Sequence, residues 1–479
     1  MDDPHQPTPV RRRVHRPRPG PRCQRRRWRL HLALPRRRRR PDADRQPVTP
    51  ERRVGVLGGG ALGLAAALRL AEAGRRVTLI EREPQLGGLA AGFSVGPNYL
   101  EKFYHHIFRT DTTIIAFIGE LGLEARLLWG QPNTSTLSQG RIVSLGSIPD
   151  LLRLPLLPPA ERFRFLLGMA VLKAIPDEKV FTGWTAARWM PRLMGRRVYD
   201  VMWEPVLRGK FGARADQIAM SWLWSRVHER SLRLGYLRGG FQLLYEAFGE
   251  RIRSLGGTVL TGTSAARIVR RDGSTEVHTD SGEVHVFDQL LATLPTRLFA
   301  RLAPDLPTDF VERYPGPEHY GAHVLILGLD RPLVPGVYWL NINDRDMPFL
   351  ALVEHTNFLP ASDYGGLHLV YLGNYLPMDH PLFAQSDEQV LNSYLAAVRR
   401  VRGDLEPSWV QRHWVFRAPF AQPIVTTSYL DSLPPHRTPL PGVYLANMAH
   451  VYPQDRGQNY SLRLGERMAR MMLADSQLP

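Results

Sequence analysis

RRVGVLGGGALGLAAALRLAEAGRRVTLIERE, residues 52–83, decides the fold. Val54 to Leu57 is a short apolar run closed by glycine, the pattern of a strand buried on both faces of a parallel sheet. Gly58, Gly60 and Gly63 follow with G-x-G-x-x-G spacing. The first glycine permits a tight turn, the second lets a pyrophosphate approach the backbone, and the third lets helix pack on strand. Ala61 to Ala73 reads as a helix rich in alanine, whose N-terminal N–H groups and positive dipole end suit a diphosphate. Val77 to Ile80 is a second strand, and Glu81 at its end is placed to accept a hydrogen bond from an adenosine ribose. Strand, turn, helix, strand and acid in this order specify a dinucleotide-binding βαβ unit.

Upstream lies a segment of different character. The chain has 479 residues and a formal charge of +17. Residues 1–50 hold 16 Arg and 4 Asp, or +12, which leaves only +5 for the rest and gives no expectation of nucleic-acid binding by the body. Arg11–Arg13, Arg25–Arg27 and Arg36–Arg40, interrupted by prolines, cannot bury enough apolar surface to fold, so this arm is expected to be disordered. A polybasic tether, a targeting peptide and translation from an upstream start codon are three readings of it. The absence of an apolar core or an amphipathic Ser-containing pattern favours the last. Cys23, the only cysteine, lies in the arm. The body therefore has no thiolate metal site, no disulfide and no cysteine for covalent flavin attachment, and a reducing, cytoplasmic setting fits. No metal centre is expected. No apolar run reaches the ~18 residues that span a bilayer, so any membrane contact is expected to be peripheral.

Immediately after Glu81, PQLGGLAAGF adds a second glycine pair, Gly87 and Gly88. The arrangement resembles the flavin-binding signature of the family that contains amine oxidases, protoporphyrinogen oxidase, phytoene desaturases and UDP-galactopyranose mutase. That resemblance implies non-covalent FAD, held by Gly58, Gly60, Ala61, Leu62, Gly63, Glu81, Arg82, Gly87, Gly88 and Leu89. Amine oxidases usually carry arginine two residues after the acid and again after the glycine pair, where this chain has Glu83 and Leu89. LEKFYHHIFRTD, residues 100–111, is similar to a mutase segment written H-x-Y-G-P-H-x-F-x-T. On that match His106 falls beside the flavin, with Phe108 and Thr110 on the family's aromatic and threonine, while Tyr104 and His105 replace its glycine and proline.

Farther along, Pro149 to Pro176 alternates leucine, proline and arginine, which suits a core helix hairpin better than an interfacial one. Five tryptophans, Trp184, Trp189, Trp203, Trp222 and Trp224, follow. Arg208 and Lys210 in the same region are candidates to pair with an anionic substrate group. Residues 235–269 read as a glycine turn, a helix and two strands, and by resemblance the Ala265 backbone meets the adenine. HVLILGL, FLALVEH, HLVYLGNYL and WVQRHWVF suggest an antiparallel sheet, from which Tyr371, Asn374 and Tyr375 could face the flavin. At the C-terminal end Val443 to Ala446 is expected to be a final parallel strand and Asn459 to Met472 a helix aimed at the cofactor. Relatives carry Gly-Asp after that strand. This chain has Ala446-Asn447, so Asn447 would have to bond without charge, and Asp455, Arg456, Gln458 and Asn459 are further candidates near the ring.

The expected class is therefore α/β: a Rossmann-like FAD-binding domain (51–111, 235–300 and 440–474) interwoven with an α+β substrate domain (112–234 and 301–439). The latter contains an antiparallel sheet and a helical part at 149–230. The resemblance implies an FAD-dependent oxidoreductase that passes hydride from a small organic substrate, apolar or sugar-linked, to flavin N5 and then to oxygen or another acceptor. The candidate catalytic residues are His106, His105, Arg208 and Tyr371. Mutase-like chemistry without net oxidation on a nucleotide sugar is the alternative, and the oligomeric state stays open.

Overall fold

The computed structural model describes residues 52–476 except Leu232. The expectations for residues 1–50 lie outside the described residues. Five strands form a wholly parallel sheet, in the order Thr258–Leu260, Arg76–Ile80, Arg53–Leu57, Gln289–Ala292 and Val443–Leu445. The central strand has neighbours on both edges and buried Val54, Val56 and Leu57, which accounts for its unbroken apolar run. The helix Ala61–Glu72 packs over this sheet, and the long C-terminal helix Gln458–Asp475 packs against it. A Cβ on Gly465 would stand only 2.3 Å from the Leu62 carbonyl oxygen, so the two helices cross with backbone close to backbone. Between Arg76–Ile80 and Gln289–Ala292 the chain makes an excursion, a three-stranded antiparallel sheet of Ala265–Arg271, Ser274–Thr279 and Val284–Phe287.

A second, seven-stranded sheet runs in the order Val410–Pro423, His319–Leu329, His368–Leu376, Ala351–Glu354, Trp339–Ile342, Thr134–Ser138 and Arg141–Ser144. It is antiparallel at every contact except Trp339–Ile342 with Thr134–Ser138, which pair in parallel. The last three strands were not anticipated. The final two form a hairpin whose turn residues, Gln139 and Gly140, both have positive φ (54° and 71°), the geometry of a two-residue primed turn. Asp344 fastens the turn by accepting from the N–H groups of Gln139 (2.7 Å) and Gly140 (3.0 Å).

Two departures concern the helical part. Over Pro149–Pro176 two helices form, Ile148–Leu152 and Pro159–Ala174. Only one side of the longer helix is core: Phe165, Gly168 and Leu172 are buried, whereas Phe163 (68 % exposed) and Leu167 (54 %) face outward. The core hairpin reading is thus half right, because the apolar residues wrap around the helix rather than keeping to one stripe. The five tryptophans belong to the interior of this helical part, with Trp222 and Trp224 fully buried and Trp184, Trp189 and Trp203 packed around them.

Gly465 supports a direct test of the helix crossing. Replacing a helical glycine by alanine ordinarily stabilises by up to about 1 kcal/mol. Here Gly465→Ala is expected to lower the melting temperature, through overpacking that costs about 1–3 kcal/mol. A rise in melting temperature would show that the helices do not approach as described.

Candidate active site

A cavity of about 1000 Å³ extends from the glycine turn at the C-terminal end of the parallel sheet to the face of the seven-stranded sheet. Its first end is shaped by bare backbone. Gly58 has φ +106°, and a Cβ on Gly63 would fall 1.9 Å from the Gly58 carbonyl oxygen, so neither position accepts a side chain. Gly60 and Gly88 pass so closely that a Cβ on Gly88 would stand 3.2 Å from the Gly60 Cα, and the Gly87 N–H donates to Gly59 O at 2.8 Å. No side chain caps the helix Ala61–Glu72, and Gly60, Ala61 and Leu62 line the cavity. Its N-terminal amides are therefore presented to a ligand phosphate.

Glu81 sits at the strand end as the spacing requires. Its carboxylate accepts from the N–H groups of Gly59 (2.5 Å) and Glu83 (2.8 Å), which leaves further lone pairs for a ribose hydroxyl. Arg82, Gly87, Gly88, Leu89 and Ala265 line the same end. Arg82 is an exposed residue paired with Glu83. Gly63 does not reach the cavity, and its role is the close packing just described. Bare glycine backbone, an uncapped helix start and a buried acid together fit an adenine dinucleotide.

At the other end, the segment Tyr104-His105-His106 lines the cavity alongside Trp339, Tyr371 and Tyr375. His105 Nδ1 hydrogen-bonds the Phe103 carbonyl at 2.5 Å, and the His106 ring meets Phe108 and Trp339 edge to face. Nδ1 of His106 is buried with no partner among the described residues. Burial, with Arg456 nearby, lowers His105 to about 4; burial, with Arg230 nearby, lowers His106 to about 3. Both rings are neutral near pH 7, so they can orient a ligand by hydrogen bonding but hold no proton to give as imidazolium.

Lys210, Asp455, Arg226, Arg230 and Arg456 form a charged wall of the cavity. Asp455 accepts from Lys210 Nζ (2.8 Å), from Trp222 Nε1 (3.2 Å) and from Arg226. Burial alone would raise Asp455, but the Lys210 and Arg226 charges outweigh it and hold the carboxyl well below its usual range. Arg456 lies 4.5 Å over the Tyr375 ring and donates to its hydroxyl and to Ala421 O (2.8 Å). Gln458 accepts from the Tyr245 hydroxyl, and its Nε2 is buried without a partner among the described residues.

Four expected site residues take other parts. Arg208 does not line the cavity. It pairs one turn back with Glu204 (2.5 Å), and more distantly with Asp216 (3.8 Å), because its position on the helix Glu204–Phe211 turns it away while Lys210 turns in. Asn447 borders the cavity, yet its amide is committed internally, donating to Leu294 O (2.9 Å) and Thr296 Oγ1 (3.2 Å) and accepting from Ala449 N (3.0 Å). The Tyr371 hydroxyl donates to Glu101 O at 2.8 Å, which makes Tyr371 wall rather than reactive group. Asn459 borders the cavity while its side-chain oxygen accepts from the Ile114 N–H (3.1 Å), tying two helices together.

Arg226 and Arg230 were not anticipated, although Trp222, Arg226 and Arg230 recur at the four-residue spacing that puts them on one helical face. Glu101 was missed as well. It is fully buried, accepts from the Tyr236 hydroxyl (2.5 Å) and Phe241 N–H (2.8 Å), and is raised by burial to about 7. No cluster able to hold a metal ion occurs among the described residues.

Comparison with known proteins agrees with this geometry. Residues 63–454 match the model of the flavin-containing amine oxidoreductase family. The carotenoid phi-ring synthase of Chlorobaculum tepidum is 24% identical over 253 residues, covering 47% of this chain and 39% of that protein. The 15-cis-phytoene desaturase of Arabidopsis thaliana is 24% identical over 54% of this chain and 50% of its own length. The match thus spans half or less of these relatives. A crystal structure of reduced UDP-galactopyranose mutase superposes with a TM-score of 0.69 at 17% identity, over 89% of this chain and 96% of that one. The chain belongs to the flavin-containing amine oxidoreductase family, and its cofactor is FAD. The class this defines is a flavoprotein of the oxidoreductase family.

The buried titratable groups set the acid behaviour of the fold. Burial lowers His105, His106, His323, His355 and His450 to about 3–4, so the unfolded chain binds their protons first as pH falls below the ordinary histidine value of 6.5. Glu101 and Asp111, raised by burial to about 7 and 6, act oppositely, as does Glu354, but they are fewer. Stability is therefore expected to rise with pH from about 5 to about 7. Melting temperatures across that window check this, and a flat or falling profile would mean that the histidines are protonated in the folded protein.

Proposed function

We propose that the protein oxidises an organic substrate seated between the Tyr104–His106 segment and the seven-stranded sheet, with hydride passing to the flavin and electrons leaving to oxygen or another acceptor. The observation that carries this reading is the continuity of one cavity from the dinucleotide cradle to that segment. FAD supplies the two-electron acceptor. Phe103, Val324, Leu350, Val353 and Phe416 line the apolar part, where they exclude water and hold a hydrocarbon portion of the substrate. The neutral His105 and His106 orient the reacting end, and Gln458 Nε2 offers a donor.

His106→Ala is expected to retain FAD and lose turnover by about 10²-fold, the scale of a misplaced reactant. Flavin content and anaerobic bleaching of the flavin by candidate substrates are the two measurements, and unchanged bleaching in the variant would remove His106 from the site. The mutase-like alternative is favoured by the similarity of the 100–111 segment and of the fold. It requires isomerisation of a nucleotide sugar only under reducing conditions, without net oxidation.

We further infer that the protein rests on acidic phospholipid surfaces. No described helix is long and apolar enough to cross a membrane. Phe163, Leu167, Ala170 and Ala174 are exposed along one face of the helix Pro159–Ala174, with exposed Ile148 and Leu152 on the preceding helix. Exposed Arg153, Arg164 and Lys173 stand among them, which complements an anionic bilayer. The full chain is expected to sediment with vesicles containing phosphatidylserine, and Phe163→Asp with Leu167→Asp to weaken that binding by about tenfold or more. Equal sedimentation of the double variant would exclude this face.

A further inference from the structure

The charged wall of the cavity is not balanced from within the protein. Lys210, Arg226, Arg230 and Arg456 all line it, and Asp455 pairs with only the first two. Among the described residues no carboxylate lies within 4 Å of the Arg230 or Arg456 guanidinium. Arg230 is held over the Phe108 ring (5.5 Å), and Arg456 by Tyr375 and the Ala421 carbonyl. The two other acids that line this region have their own donors: Glu229 accepts from Gln454 Nε2 (3.3 Å), and Asp111 from the Phe108 N–H (2.8 Å). Even with both counted, the cations exceed the anions. Arg230 stands two residues past the end of the helix Met220–His228 that carries Arg226, and burial and the Arg226 charge both lower it.

Guanidinium groups that lie over aromatic rings and line a cavity match the planar oxygens of a carboxylate or phosphate. The FAD diphosphate belongs to the glycine turn and the start of the helix Ala61–Glu72, which are different elements from those that carry the four cations. We propose that Arg230 and Arg456, with Lys210 behind Asp455, receive an anionic oxygen group of the substrate, a carboxylate or a phosphate. The identity of the bound molecule as the substrate rests on the oxidoreductase reading above. The substrate would then be amphipathic, with its acid on this wall and its hydrocarbon against Val324, Val353 and Phe416.

FAD-loaded full-length protein at low salt is titrated with inorganic phosphate and, separately, with octanoate, following the flavin spectrum and the melting temperature. At least one is expected to give a saturable change, weakened about tenfold or more in Arg230→Gln, the scale of a lost charge-assisted hydrogen bond, and partly restored in Arg230→Lys. A response to phosphate alone assigns a phosphorylated substrate, and a response to octanoate alone a carboxylic acid. No saturable change with either, or an identical titration of Arg230→Gln with its FAD intact, overturns the proposal. Failure of the oxidoreductase reading is seen separately, as a flavin that no organic acid or phosphate ester bleaches while the melting-temperature response to the anion persists.

Discussion

The structure depends on backbone that must stay bare. Gly63 has no room for a Cβ because the Gly58 carbonyl lies where it would stand, and Gly465 has none because the Leu62 carbonyl does. The same helix, Ala61–Glu72, is therefore pinned twice: its first turn against the end of the strand Arg53–Leu57, and its flank against the C-terminal helix. These two close approaches fix the direction in which its N-terminus points, and with it the place of the cofactor diphosphate. Residues distant in sequence then converge on one line. Glu81 bridges the glycine turn to its own loop, Gly88 meets Gly60, and Gln458 and Asn459 arrive from the far end of the chain.

Charge is distributed differently along the cavity. At the dinucleotide end the protein offers amides and a single acid, and it leaves the diphosphate charge to backbone dipoles. At the other end burial keeps both histidines neutral, so cationic character comes only from lysine and arginine, and there burial lowers Lys210 well below its ordinary value and Arg230 to about 9. A neutral imidazole pair beside a cationic wall can orient a substrate without competing for its anion. The seven-stranded sheet contributes the apolar surface between these regions, through alternate residues of His319–Leu329 and His368–Leu376 that face the cavity.

The nucleotide-binding half was legible in the sequence because its signals are local: a buried strand, three glycines, an alanine-rich helix and an acid at a fixed distance. Four of the seven strands of the second sheet were legible too, through β-branched and aromatic runs. What was not legible is where a side chain turns. Arg208 and Lys210 are two residues apart on one helix, a separation that places them on different sides, and only the packing of that helix decides which faces the cavity. Asn447 could be predicted to stand at the cavity edge but not to have its amide engaged by Leu294 and Thr296, which come from another strand's end. The hairpin Thr134–Ser144 did carry a signal, Gln-Gly between alternating residues, weaker than Asn-Gly and masked by the helical segment after it. Arg226 and Arg230 were equally present in the four-residue spacing from Trp222, but arginines on a helix usually mark a solvated face.

Asp455 explains how such a wall persists. Several cations gathered in a dehydrated space repel one another and lose hydration, and a buried ion left without a partner costs several kcal/mol. One carboxylate shared by Lys210, Arg226 and Trp222 Nε1 offsets part of that repulsion and fixes the geometry of the group. A second carboxylate paired with these cations would offset more of their charge and weaken the reason for an anion to bind. With one, the wall is stable enough to fold and still carries excess positive charge toward the cavity. The tryptophan in this arrangement matters as well: both Lys210 (5.1 Å) and Arg226 (4.9 Å) lie over its ring, so the indole face supplies attraction that does not neutralise either cation. The core tryptophans and the charged wall are for this reason one construction, in which the aromatic interior of the helical part holds the cations that the cavity presents.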